Sequence, residues 1–348
     1  MSRNERLDNR RENSKKRNQL PFLILLAVLI LVLIGVIFIA KEKNPSQSAG
    51  IDPSTQEETE SVEKWQEGVI KYKDKYYQYN NNIKTYLFMG IDKEQSDGEV
   101  VGEAGQSDAM FLLVANEDEK SLSIIAIHRN AMTDVDVYGD SGAILKTVNA
   151  QICTQYAFGD GKFLSCDRAT KAVSKLFYNL PISGYLSMQM GGISIMNDVV
   201  GGVEVEVLHD LVGASKGVDL KAGEMVRLTG DEAYVYLRSR DIDEFDSATN
   251  RLLRQQQYIT NFANQVNVYT AGSTTKALDI YEAIEDYVIT NIDFADLALK
   301  LDGYEYDSSR MYSLPGETQM GEKLEEYHVD DDALYALIID VFYKEVEM

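Results

Sequence analysis

Four arginines fall within seventeen residues of this chain: Arg238, Arg240, Arg251 and Arg254. Beyond residue 19 there are eight arginines in all, against nineteen widely spread lysines, so the cluster needs a reason. A guanidinium presents a rigid fork of donors that matches phosphate oxygens. From Thr249 onward, Arg251, Arg254, Gln255 and Tyr258 recur at i, i+3, i+4 and i+7, on one face of an expected helix. Such a face could hold a multiply charged anion. The same arginines could instead pair with Asp241, Asp243, Glu244 and Asp246, which lie between them. Composition leaves both readings open.

Two carboxylates form a second candidate. Asp92 follows Gly90-Ile91 at the end of an expected strand, and Asp108 opens the next strand after a loop holding Gly98, Gly102 and Gly105. Carboxylates at adjacent strand ends could hold Mg²⁺, which keeps waters and takes one or two carboxylates plus substrate phosphates. Aspartate at a loop end is also an ordinary turn residue. His128, His209 and His328 do not pair at metal-ligand spacing, so no His/Cys zinc site is expected. Residues 213–217 (GASKG) fit the G-x-S-x-G nucleophile elbow, but a polar stretch follows where a helix is required. Residues 61–64 and 273–276 fit S-x-x-K, yet neither K-T-G nor S-D-N occurs anywhere. These matches read as coincidences.

The elements that must position these residues alternate along the chain. Strands are expected at 85–91, 110–115, 122–127, 185–190, 203–207 and near 310–313, with a polar turn at 116–120. Helices are expected at 61–79, 147–157, 167–178, 193–200, 228–236, 249–266, 274–287, 293–301 and 331–344. Strands and helices mixed in this way predict an α/β fold, a central sheet covered by helices on both faces. Cys153 and Cys166 are expected to close a short disulfide loop, contributing about 3 kcal/mol in the chain-entropy model. Buried free thiols are the alternative.

Residues 20–40 carry no charge and are dominated by Leu, Ile, Val, Phe and Ala. As a helix they span roughly 31 Å, one hydrocarbon thickness. Seven basic and three acidic residues precede them, which keeps that end in the cytoplasm. The expected layout is a basic tail at 1–19, a transmembrane anchor at 20–40, a linker and stalk helix at 41–80, and an extracellular body at 81–348. The whole chain carries −22, and removing the tail's net +4 leaves −26. Such a surface repels nucleic acid and anionic headgroups.

In order and spacing, these pieces resemble the LytR-CpsA-Psr family of Gram-positive bacteria over residues 84–266, with a weaker likeness at 312–316 (YSLPG). Gly90-Ile91-Asp92 matches the family's G-x-D, and Ser107-Asp108 its Ser-Asp pair. Lys146 and Asn149 match K-x-x-N, followed by an aromatic-Gly stretch at 156–159, and residues 201–205 match G-G-V-x-V. Leu228, Gly230, Tyr236, Arg238 and Arg240 match L-x-G-x-x-A-x-x-Y-x-R-x-R, and Arg251, Arg254, Gln255 and Gln256 match R-x-x-R-Q-Q. One departure stands out: the family's P-R-D-T is here His128-Arg129-Asn130-Ala131.

The resemblance implies a mixed sheet covered by helices, with an apolar groove for a polyprenyl tail drawn from 110–127, 185–205 and 252–266. It implies a transferase that moves a glycopolymer, of teichoic acid or capsule type, from an undecaprenyl-pyrophosphate carrier to peptidoglycan through a phosphodiester. Arg129, Arg238 and Arg240 would then be catalytic. With Arg251, Arg254 and Gln255 they would hold the pyrophosphate, and Asp92 and Asp108 would hold Mg²⁺. The partners implied are the lipid-linked polymer, peptidoglycan and the membrane, with no nucleic acid. Asn130 in place of aspartate keeps two alternatives open, a non-catalytic binder of the same lipid and a pyrophosphate hydrolase.

Overall fold

A computed structural model describes residues 68–95, 101–139, 141–241, 243–271, 273–292 and 304–347. In chain order the elements are β1 (Val69–Tyr72), β2 (Lys75–Tyr79), β3 (Ile83–Ile91), β4 (Ser107–Asn116), β5 (Ser121–Ile127), β6 (Met132–Tyr138) and β7 (Ile144–Gln151). A 3-10 helix (Ile152–Phe158), α1 (Phe163–Leu176), β8 (Gly184–Gln189), α2 (Gly191–Val199), β9 (Val203–Glu206) and β10 (Met225–Leu228) follow. Then come α3 (Gly230–Arg238), α4 (Ser247–Thr270), α5 (Thr274–Ile284), β11 (Val288–Thr290), β12 (Glu305–Ser313), β13 (Gly316–Met320), β14 (Glu325–Val329), α6 (Asp331–Phe342) and β15 (Tyr343–Val346).

Among the described residues the central sheet runs β11-β8-β3-β4-β5-β12. The β3/β8 and β5/β12 pairs are parallel and the others antiparallel, so the sheet is mixed. Successive side chains of a strand point to opposite faces, which divides the core in two. Leu87, Met89, Ile91, Met110, Leu112, Ile125 and Ile127 meet Tyr156 of the 3-10 helix, Val173 of α1 and Ile338 and Phe342 of α6. On the other face Tyr86, Ala115 and Leu122 meet Val200, Val235, Tyr258, Val266 and Ile284 from the segments of α2 to α5. Apolar cover on both sides is why β4 reads as a continuous hydrophobic run, MFLLVA, rather than as an alternation. The turn at 116–120 forms because Asn116 Oδ1 accepts from the amides of Asp118 and Glu119, at 3.1 and 3.3 Å.

Several expectations need correction. Residues 69–79 are not part of a helix: β1 and β2 form a hairpin around Lys73-Asp74, both at positive φ. Tyrosine-rich β2 then pairs with β15, which takes the last residues expected in helix 331–344. The expected helix at 147–157 is strand β7 running into the 3-10 helix, and β7 pairs with β6, whose MTDVDVY alternates by two. The β13–β14 hairpin was not foreseen. The expected helix at 293–301, the tail at 1–19, the anchor at 20–40 and the linker up to residue 67 lie outside the described residues. Among the described residues no helix is long and apolar enough to cross a membrane.

The disulfide is corrected too. Cys153 and Cys166 are free, buried thiols with different neighbours. Arg129 Nη2 donates to Cys153 Sγ at 3.1 Å, while Cys166 Sγ donates to Ser187 Oγ on β8 at 3.3 Å. Burial pushes Cys153 up to about 11 and Cys166 up to about 12, so both stay protonated at neutral pH. Alkylation of the denatured, unreduced protein is therefore expected to label both cysteines. A chain that takes up no label would carry the bond after all.

Candidate functional site

The sheet order brings three strand ends together. The C-terminal end of β3, the N-terminal end of β4 and the C-terminal end of β5 are neighbours, because both pairs are antiparallel. Asp92, Asp108 and Arg129 therefore converge at one sheet edge, although 37 positions separate the first from the last. Asp108 lies between two guanidinia: its Oδ1 is 2.9 Å from Arg129 Nε, and its Oδ2 accepts from Arg251 Nη1 at 2.7 Å. Arg129 is 9% exposed and Arg251 3% exposed. One carboxylate thus faces two buried cations, one through each oxygen.

Asp92 is tied to the same centre through Gln106. The Gln106 amide donates to Asp92 Oδ1, and Gln106 Oε1 accepts from Arg129 Nη2. A side chain at Gly105 would fall 2.7 Å from Asp92 Oδ1, and its φ of +90° also favours glycine. Burial raises the Asp92 carboxyl above its ordinary value, and the Asp108 carboxylate adds to this. The Gln106 amide and the Arg129 and Lys93 cations act against it.

The four clustered arginines separate into two pairs. α3 starts at a capping box, with the Thr229 amide donating to Glu232 Oε2 at 2.7 Å and Glu232 N–H facing Thr229 Oγ1. It ends by presenting Arg238 and, just beyond, Arg240. The face of α4 read as an anion platform packs against this end. Arg254 Nε donates to Tyr236 O at 2.8 Å, and its Nη2 donates to Ser239 O. Gln255 Nε2 donates to Leu237 O at 3.1 Å. Arg254 and Gln255 are buried, and these donors are engaged by backbone carbonyls. Burial lowers the Arg254 guanidinium to about 10, still charged at neutral pH.

Arg238 is exposed and Arg240 partly so. The Arg238 guanidinium lies 5.7 Å from the Tyr234 ring centroid, whose hydroxyl donates to Glu94 Oε1. Among the described residues neither arginine pairs with the acidic stretch that follows. Asp241 Oδ1 accepts from the Asp243 amide, and Asp246 Oδ1 accepts from the Thr249 and Thr318 hydroxyls. The ion-pair alternative for the cluster is not what the fold uses.

A histidine and a tyrosine that the sequence reading passed over complete the site. The His128 ring stacks on Tyr327 of β14, with centroids 4.2 Å apart. Its Nδ1 accepts from the Asn130 amide at 3.2 Å, which leaves Nε2–H facing Thr249 Oγ1 at 3.2 Å. Burial, reinforced by Arg129, Arg251 and Arg240 and opposed by Asp246, lowers His128 to about 4, so it is neutral in use. Asn130 is buried, and its side-chain oxygen has no hydrogen-bond partner among the described residues. The substitution flagged at 128–131 pointed here, but the stacking partner came from the unforeseen hairpin.

An apolar strip leads away from Asp108. Phe88, Ala109, Leu113 and Ile124 share one sheet face and are only half-buried, as are Leu186 and Met188 of β8, Ile193 and Met196 of α2, and Ile259 of α4. Phe111, Ala126 and Leu252 close the strip near the arginines. The site therefore joins cations and carboxylates at a sheet edge to an incompletely covered apolar face. Chemically, that combination can hold an amphiphilic anion.

The chain belongs to the LytR_cpsA_psr family, whose profile matches residues 46–338. It is 29% identical over 206 residues to the polyisoprenyl-teichoic acid–peptidoglycan teichoic acid transferase TagU of Halalkalibacterium halodurans, covering 59% of this chain and 60% of that one. The chain thus spans about three fifths of that relative's length. It is 27% identical over 240 residues to the TagU of Enterococcus faecalis, covering 69% and 72%. The fold matches the crystal structure of B. subtilis TagV with a TM-score of 0.56 at 22% identity, covering 74% of this chain and 94% of that one. This last likeness establishes the mixed sheet with its helices.

Proposed function

We propose that this chain transfers a glycopolymer from a polyprenyl-pyrophosphate carrier to peptidoglycan, leaving a phosphodiester link. The observation that carries the reading is the centre at Asp108. Two buried guanidinia share one carboxylate, the Arg238 carbonyl lies 3.5 Å from Arg251, neither Arg238 nor Arg240 has an ion-pair partner among the described residues, and an apolar strip begins one residue on. The cations suit a pyrophosphate and the strip suits a polyprenyl tail. The names of the two relatives support the reaction class.

Phosphoryl transfer asks the protein mainly for positioning and charge stabilisation. Arg129, Arg251, Arg238 and Arg240 would bind the pyrophosphate oxygens. A wall-sugar hydroxyl would attack the phosphorus next to the polymer and give up its proton to water, the bond from that phosphorus to the polyprenyl-phosphate oxygen would break, and polyprenyl phosphate would leave. Arg129, Arg238 and Arg240 would stabilise charge on the transferring group.

Asp92 and Asp108 fit Mg²⁺ as a two-carboxylate site. Burial disfavours the charged form of Asp92, and the Asp108 carboxylate close by adds to this. No third protein ligand of His, Cys, Asp or Glu type joins them among the described residues, so waters and substrate phosphates would complete the set. When bound, the ion would neutralise phosphate charge. The body would work outside the cytoplasmic membrane, with residues 20–40 as its anchor.

The test is incubation with a polyprenyl-pyrophosphate-linked glycan, a peptidoglycan fragment and Mg²⁺. A glycan joined to the fragment through phosphate is the expected product. Glycan phosphate and polyprenyl phosphate released without that product would mean hydrolysis. Bound lipid with no turnover would favour a binding protein, the reading that Asn130 in place of an aspartate supports. Asn130→Asp is then expected to switch transfer on; in the transferase it changes the rate only by a small factor.

A further inference from the structure

Arg238 and Arg240 stand at the C-terminal end of α3, which is ordinarily the wrong end of a helix for an anion. The last carbonyls of a helix have no intrahelical partner, and the end carries roughly half a negative charge. Here α4 takes up those carbonyls. Arg254 donates to Tyr236 O and Ser239 O, and Gln255 donates to Leu237 O. Arg251 Nη1 lies 3.5 Å from Arg238 O while holding Asp108. Of these three side chains, Arg254 supplies the only charge not already spent on a carboxylate, and it is 2% exposed.

We infer that Arg254 is a positioning residue, which turns an anion-repelling helix end into the platform from which Arg238 and Arg240 meet a diphosphate. The inference rests on the proposed function and deepens it. Arg254 does not touch the diphosphate. It cancels the negative end of α3 and occupies carbonyls onto which Arg238 and Arg240 would otherwise fold back. A direct ligand would act on its own; a positioning residue acts only through the two arginines that it frees.

That difference can be measured with inorganic pyrophosphate and Mg²⁺ by calorimetry. Arg254→Met keeps the length and bulk of the side chain and removes its donors and charge. Groups that orient the ligands of a metal ion typically change affinity by 10- to 100-fold, and for these anion-binding arginines a loss at the lower end, about ten-fold, is expected. In the Arg238→Ala/Arg240→Ala background, Arg254→Met is expected to change affinity no further. An equal loss in both backgrounds would overturn the inference by showing direct contact. Unchanged affinity in the native background would overturn it by showing a structural role only. If Arg254→Met does not fold, Arg254→Lys serves, since it keeps the charge but not the fork over two carbonyls. Its affinity is expected to fall, and undiminished binding would overturn the inference. A native chain that binds no pyrophosphate would overturn the site reading itself, a result distinct from native binding that ignores Arg254.

Discussion

Asp108→Ala is expected to cost about 3–5 kcal/mol of stability, the usual penalty for removing one partner of a buried ion pair. For a body of this size the melting temperature should fall by on the order of 10 °C. The reason lies in the two cations it leaves behind. Arg129 and Arg251 are both nearly inaccessible, and Asp108 holds one through each oxygen. Burial already disfavours the charged form of Arg251, and Asp108 is the main influence opposing it. Without the carboxylate the two guanidinia repel each other in a poorly solvated site. Asp108→Asn keeps the shape and one acceptor oxygen, so its loss should be smaller. Pyrophosphate should raise the melting temperature of Asp108→Ala more than that of the native chain, because an anion can replace the missing carboxylate and binds only the folded form. Thermal unfolding with and without pyrophosphate checks both statements. A variant that melts within about 2 °C of the native chain would show that Asp108 does not bridge these arginines.

The parts of this site that were readable in the sequence are those set by local pattern. Gly90-Ile91-Asp92 and Ser107-Asp108 sit at strand ends whose hydrophobic runs announce them, and two antiparallel neighbours must bring those ends together. The i, i+3, i+4 spacing of Arg251, Arg254 and Gln255 correctly placed them on one face of α4. Spacing says which residues share a face, but not what the face meets. Here it meets the end of α3, and that contact turns two expected ligands inward. The same limit explains the stalk. Residues 62, 65, 69 and 72 match a helical period, but 69 and 72 lie in β1, whose partner β2 pairs with β15 more than 260 positions away, and there tertiary pairing overrides the local pattern. Cys153 and Cys166 are close in sequence, yet one thiol is held at the arginine site and the other against β8. The His128–Tyr327 stack joins β5's end to a hairpin some 200 positions later, and no local periodicity carries that information.

Arg238→Ala and Arg240→Ala are expected to weaken polyprenyl-pyrophosphate binding strongly and to leave the fold almost untouched. A hydrogen bond to a charged group contributes about 1.5–3 kcal/mol, or roughly ten- to hundred-fold in affinity for each arginine. Stability should barely change, because Arg238 is exposed and neither residue has an ion-pair partner among the described residues. The Arg238 contact with the Tyr234 ring is worth about 0.5–1 kcal/mol at an exposed site, so a shift of a few degrees at most is allowed there. Lysine keeps the charge but loses the planar fork, so Arg238→Lys and Arg240→Lys should fall between native and alanine. The contrast with Asp108 is the informative part: Asp108→Ala should lose melting temperature first, whereas these variants should lose affinity first. Paired measurements of melting and of lipid-pyrophosphate binding on the same preparations decide the matter. Alanine variants that bind the lipid as tightly as the native chain would remove Arg238 and Arg240 from the site.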